Sequence, residues 1–516
     1  MLWPSALLLW ALWVLRLTAV AAGSSVLLTF SIARHGARNA LPKTMLLQES
    51  SSYAGPTLLP VGQRMCYNAG VAFRNRYLNS SNCQASGSCL VSSGGDTRYG
   101  LVSQGAGFHN YNSLVRASYT DRALLSAQAF FAGVFPAQPP NSSLLYLPTG
   151  QQPVPVYSEP DKDDWLIRTY NKCPAYDARL MAWFDSPQFQ AKAQDTAALR
   201  AAFQALAPGL DCSLENWWNV YDAWNVWQTF GIGDPLPALN TSMFTQLVQL
   251  ATWGEISKMS SNLTSNLLGG PLLADMLAYM DTTASAALTG TQVFPKLLHI
   301  SSHYNVQLGV LAALALDNHP PALAALPWLS SKLPALASMA VFELLAPEVQ
   351  AAVVGGGLGQ LAVRLVVQDG PEAPWRMVPL PCAVAGDAAA QLAGPGACSY
   401  PAFRALATAA ALPSAPSWCR ACANTGAAAC QTLAAQAREV AESRRADRMR
   451  DGLIAGVVLT FVFTLMLSCG TALLMHRRAR WTSSEQALVA RGGSQHSSSN
   501  TEGMPQTRNS TVTLKC

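Results

Sequence analysis

The sequence predicts an α/β protein. It has a mostly parallel central sheet flanked by helices, a smaller helical subdomain inserted into it, and one C-terminal transmembrane helix. Three observations predict this. Val26–Ile32 and Lys296–Ile300 are apolar, strand-like runs, each with a turn after it, and the second leads into a helical pattern. Between them, residues 133–290 show short helical patterns. Gly452–Met475 carries no charge, and its 24 residues, at about 1.5 Å each, cover roughly 36 Å, enough to cross a bilayer.

Met1–Ala22 is apolar and ends in Ala19-Val20-Ala21-Ala22, small residues that read as a signal-peptide cleavage site. The expected divisions are a signal peptide over 1–22 and a first part of the α/β core over 23–132. A helical cap follows over 133–290, then a second part of the core over 291–402. A juxtamembrane stem over 403–451, the transmembrane helix over 452–475 and a disordered cytosolic tail over 476–516 complete the chain. Arginines flank the apolar run on both sides, so orientation rests on the signal peptide. That makes a single-pass type I membrane protein. Its large segment is extracellular or lies in the lumen of a lysosome- or vacuole-like compartment. The tail contains no tyrosine, so a tyrosine-based sorting signal is absent.

Charge excludes one class of partner. The formal net charge is +5, of which Arg16 gives +1 and the tail from His476, with six Lys/Arg and two Glu, gives +4; 5 − 1 − 4 leaves zero for residues 23–475. A nucleic-acid binder is basic in its folded part. Ten cysteines lie between leader and span, an even set that suggests disulfides in an exported segment. Cys382–Cys398 is the first pairing expected. Cys419-x-x-Cys422 has no second Cys pair or histidine near it in sequence, which favours a disulfide over zinc. Four glycosylation sequons begin at Asn79, Asn141, Asn240 and Asn262.

Taken in order, the strand from Val26 runs into Arg34-His35-Gly36-Ala37-Arg38. Arginine offers a planar fork that fits phosphate oxygens two at a time, and histidine a neutral nitrogen nucleophile. Gly36 would let the backbone turn sharply. Leu59–Arg64 marks entry into a helix with a face of Met65, Ala69, Ala72, Phe73 and Tyr77. Leu114–Ser118 is a short strand, and Thr120 or Asp121 caps the helix that carries Arg122. Trp217, Tyr221 and Trp224 recur at helical spacing, a pattern of core residues. Ser301-Ser302-His303 puts a histidine where a strand ends and a helix begins, the place where open α/β sheets bind anions. Met339–Leu345 and Arg364–Val367 are later strands, and Phe403–Ala441 is Ala-rich and helical.

These segments, in this order, resemble the histidine acid phosphatase family, in branch 2 of the histidine phosphatase superfamily, with the lysosomal and prostatic acid phosphatases. Arg34–Arg38 is similar to its nucleophile motif, and Leu59–Gly62 to its "LTPxG" helix entry. Asp121–Ala127 is similar to its "DRTLMSA", Gly133–Pro136 to "GLFP", Cys173-Pro174 to "NCP", and Ser302-His303 to its second histidine. The resemblance implies an acid phosphatase acting on phosphate monoesters through a phosphohistidine on His35. Arg34, Arg38 and Arg122 would hold phosphate oxygens, with His303 as a further donor. It implies no metal or other cofactor, and pairs Cys173 with a stem cysteine. The oligomeric state stays open, a dimer included. Three positions depart from the family: Pro42 comes later than usual, Tyr119 replaces an Asp, and Tyr304 replaces the Asp that protonates the leaving oxygen. Tyr304 or a carboxylate from elsewhere would then serve as the acid. A phenol, with its pKa of about 10, is poorly matched to acid catalysis, so aryl phosphates should be cleaved far better than alkyl phosphates. The alternative is a weakened or inactive relative that binds a phosphorylated ligand.

Overall fold

The computed structural model describes residues 24–40, 56–85, 87–90, 108, 110–137, 147–232, 235–291, 295–347 and 356–489. The signal peptide, Pro42, the Asn141 sequon and residues 490–516 lie outside them. The chain divides into two units, Met1–Ala434 and Ala435–Cys516.

The first unit is built on a seven-stranded sheet. Its strands are β1 (Ser24–Arg34), β2 (Ser113–Ala117), β3 (Leu297–Ser302), β4 (Met339–Pro347), β5 (Ala362–Gln368), β6 (Trp375–Val378) and β7 (Cys398–Ser399). The order is β2-β3-β1-β4-β5-β6, with β7 also on β5. β1 is central, and a register shift between Val26 and Leu28 interrupts its alternation. Leu28, Phe30 and Ile32 enter the core on one face, while Val26 and Ala33 enter the core on the other.

The sheet is mixed, which corrects the expectation of a mostly parallel one. Two strand pairs are parallel and four are antiparallel. A parallel return needs a crossover, usually a helix. Only residues 369–374 separate β5 from β6, so that pair is a hairpin.

Helices α1 (Pro60–Tyr77) and α2 (Asp121–Val134) pack on one face. They approach so closely that a Cβ on Gly70 would lie 1.9 Å from the carbonyl oxygen of Phe130. Between β2 and β3 the chain forms short helices and then α3 (Trp217–Phe230), α4 (Thr241–Lys258) and α5 (Gly270–Thr289). Phe189, Phe203, Trp217, Trp224 and Leu247 form a core separate from the sheet's two. α5, in contrast, buries Leu272, Leu273 and Met276 against the sheet. α6 (Tyr304–Ala313) follows β3.

The stem does not begin at 403. Phe403 and Ala407 of α7 (Tyr400–Ala410) and Trp418 of α8 (Ala415–Ala421) are buried in the sheet's core. Disulfides join Cys83–Cys89, Cys173–Cys422, Cys382–Cys398 and Cys419–Cys430. Eight of the ten cysteines expected to form disulfides are thus paired, while Cys66 and Cys212 are buried thiols. α9 (Ala428–Val489) is long and apolar enough to cross a membrane. It continues to Val489, into the segment from 476 expected to be a disordered tail.

Candidate active site

Three parallel strands end together, and their register assembles the site. Arg34 of β1 stands opposite Ser302 of β3, so His35 and His303 leave the sheet side by side. The His35 amide donates to the Ser302 carbonyl at 2.9 Å. The two imidazole centroids are 5.2 Å apart. Ala117 of β2 pairs with Ser301, and the chain then enters α2, whose second residue is Arg122. A Cβ on Gly36 would lie 2.2 Å from the Gly62 carbonyl oxygen at the start of α1. The glycine is therefore needed for close approach to α1, since its φ is not in the left-handed region.

His35 is buried, and its Nδ1 lies 2.7 Å from the Gly36 carbonyl oxygen. A carbonyl only accepts, so Nδ1 carries the proton and Nε2 keeps its lone pair. Burial, then the charges of Arg122, Arg34 and Arg38, hold the imidazole well below its ordinary pKa. It remains neutral in mild acid.

The arginines are not equivalent. Arg38 gives both ends of its fork to Asp222, at 2.9 Å each. Arg34 donates to the Pro334 carbonyl and lies 5.0 Å from the centroid of the Tyr304 ring. Arg122 is buried, and burial, then Arg38, lowers it to about 9, where it is still charged at neutral pH. Among the described residues neither Arg34 nor Arg122 has an ion-pair partner. Each keeps a buried Nε without a hydrogen bond, as does Arg38. Two guanidiniums without an ion pair among the described residues leave donors and charge for a phosphate dianion.

His303 caps α6, and its Nε2 lies 3.0 Å from the Ser118 hydroxyl and 3.2 Å from Nη1 of Arg168. An arginine only donates, so Nε2 accepts and Nδ1 holds the proton of the neutral ring. Burial, then Arg122, depresses its pKa well below the ordinary value.

Tyr304 arrives by its ring alone. Its hydroxyl donates to Glu255 Oε2 at 2.6 Å, and Lys258 holds the other oxygen at 2.8 Å. Burial, then Glu255, pushes the phenol well above its usual pKa. Its proton is aimed at α4 and not at His35, which disfavours Tyr304 as the acid.

Two groups escaped the sequence reading. Arg168 sits between the rings of Tyr119 and Tyr170, 5.4 and 5.3 Å from their centroids, and pairs with Asp161 at 3.3 Å. Its position five residues before Cys173-Pro174 was the available signal. Asp222 was hidden among the aromatics of α3. On that helix Trp217, Val220 and Trp224 face the cap's core. Trp218, Tyr221, Asp222, Asn225 and Thr229 instead line a cavity of about 690 Å³ that reaches Arg34, His35 and Arg38. Tyr221 is half-buried: it packs against the cap's core and also lines the cavity, so the expectation that it is core holds only in part.

The sequence profile described as "Histidine phosphatase superfamily (branch 2)" matches residues 30–354, more than half the chain. Lysosomal acid phosphatase of Rattus norvegicus is 27% identical over 293 residues, covering 55% of this chain and 62% of that protein. Lysosomal acid phosphatase of Xenopus laevis is 30% identical over 220 residues, 41% of this chain and 48% of that protein. The chain thus spans about half to three fifths of the length of these relatives. Among solved structures, the apo form of Hafnia alvei phytase aligns with a TM-score of 0.48 at 14% identity, covering 77% of this chain and 98% of that one. The profile match over residues 30–354 shows that the chain belongs to branch 2 of the histidine phosphatase superfamily.

Proposed function

We propose that this protein is an acid phosphatase that hydrolyses phosphate monoesters through a phosphohistidine on His35. The observation that carries the reading is the imidazole itself. Its Nδ1 is fixed at 2.7 Å from Gly36, its Nε2 is free to attack, and burial among arginines keeps it neutral. In the first half-reaction Nε2 bonds to phosphorus and the ester P–O bond breaks. Water then cleaves the P–N bond. Charge spreads over the equatorial oxygens, so the fixed cations of Arg34, Arg38 and Arg122 supply most of the stabilisation. Arg38 exchanges Asp222 for phosphate in part, and His303 adds a donor through Nδ1. No metal enters these steps.

A second reading is a weakened relative that binds a phosphorylated ligand without turnover. It is favoured by the bond from Tyr304 to Glu255 in place of a free acid. Steady-state assay separates the two. Wild type should hydrolyse para-nitrophenyl phosphate in mild acid and His35→Ala should not. Phosphate binding without hydrolysis by wild type supports the second reading.

The placement inferred for the chain is a single-pass type I membrane glycoprotein with its large unit in an acidic lumen or outside the cell. The apolar segment Met1–Ala22 with its small-residue end, the sequons at Asn240 and Asn262, both exposed, and the apolar helix support it.

A further inference from the structure

If the phosphatase reading holds, a proton must reach the leaving oxygen, and Tyr304 is not placed to give it. The cavity above His35 offers few candidates. Both oxygens of Asp222 already accept from Arg38. Asp369 accepts from Lys332 and from the Ala335 amide, while Glu372 is exposed to solvent and accepts from Asn68 through one oxygen. Tyr221 remains. It lines the same cavity as His35, and its hydroxyl forms no hydrogen bond among the described residues. Trp218 packs on its ring at 5.0 Å between centroids and on Tyr304 at 5.2 Å, so the phenol is held in place. The charged groups that act on it are Arg34, Asp222 and Arg38.

The geometry points to Tyr221 as the proton donor to the leaving oxygen, a role that rests on the phosphatase reading above. As His35 Nε2 bonds to phosphorus, the P–O electron pair passes to the leaving oxygen, which takes the Tyr221 proton. The resulting phenolate is balanced by Arg34 and Arg38. When water attacks the phosphohistidine it returns a proton to Tyr221 and releases phosphate and His35. Burial, with Asp222, raises the Tyr221 pKa while Arg34 and Arg38 oppose it, so the phenol stays protonated through acid and neutral pH. A phenol is a weaker acid than the carboxyl group it replaces, which sets the gain at the low end for general acid catalysis, but an alkoxide is a far stronger base than a phenolate, so the transfer still runs downhill. A nitrophenolate needs no such help.

The test is the ratio of kcat/KM for glycerol phosphate to that for para-nitrophenyl phosphate in wild type, Tyr221→Phe and Tyr304→Phe. Tyr221→Phe keeps the ring and its packing. It should lose about 100-fold on the alkyl ester, within the usual range for general acid catalysis, and about 3-fold or less on the aryl ester. Tyr304→Phe should leave the ratio unchanged. Acid-stopped phosphoenzyme formed by Tyr221→Phe from the aryl ester shows that the variant is folded. An unchanged ratio in Tyr221→Phe, or the alkyl-selective loss in Tyr304→Phe instead, overturns the assignment. Failure of wild type to turn over the aryl ester overturns the phosphatase reading, and this role with it.

Discussion

The floor and the roof of the active-site cavity are made differently. The floor consists of strand ends and helix starts, where hydrogen-bond register fixes His35 beside His303 to within a residue. The roof is one face of α3, held by a separate aromatic core and joined to the floor by the Arg38–Asp222 pair. Arg34, Arg38 and Arg122 therefore come from a strand end, the segment after it and a helix start, while Tyr221 and Asp222 come from the inserted subdomain. Chemistry common to a family can stay on the floor while a roof changes what is cleaved.

The largest test of this division is Trp224→Ala. It removes a fully buried ring from the roof's core and should cost about 3–5 kcal/mol, read by denaturant unfolding. A loss below about 1 kcal/mol would mean that the roof has no core of its own. Next is Asp222→Ala, which leaves the buried Arg38 without its counter-charge and should cost about 3 kcal/mol. Added inorganic phosphate should then raise the Tm of the variant more than that of wild type, because it replaces the missing charge. Equal shifts would show that Arg38 does not meet the anion.

Acid separates the two regions as well. Residues 133–290 contain no histidine, whereas the floor holds His35, His299 and His303, all buried. Burial lowers His299 to about 3. A histidine held neutral in the fold takes up a proton only on unfolding, so stability is full above the unfolded pKa of about 6.5 and falls as pH drops toward 3. For His299 the loss by about pH 5 is about 2 kcal/mol. His299→Gln should flatten that slope, and hydrogen exchange in acid should rise in β1 and β3 before α3. The smallest effect is Tyr304→Phe, about 1 kcal/mol, since only the bond to Glu255 is lost while the ring still packs on Arg34.

The floor was legible in the sequence because its residues lie at motif spacing on elements with clear apolar patterns. Val26–Ile32 and Lys296–Ile300 announce strands whose last residues are adjacent to His35 and His303. Strand direction was less legible. Nothing in Met339–Leu345 or Arg364–Val367 states polarity, although the lack of a helical pattern between them is the cue for antiparallel pairing. The roof was least legible. Trp217 and Tyr221 look alike at helical spacing, yet one is buried in the cap's core while the other packs at its edge and lines the cavity that reaches His35, and only tertiary packing separates them. Arg168 was missed for the same reason: it is five residues from the nearest motif position and gains meaning only beside His303.

The most direct measurement is acid-quench labelling with a phosphorus-radiolabelled aryl phosphate, comparing wild type with His35→Ala. Wild type should trap label with the acid lability and alkali stability of a phosphoramidate, mapping to the peptide that holds His35, and His35→Ala should trap none. Turnover by wild type with no trapped label, or equal labelling of His35→Ala, would contradict His35 as the nucleophile.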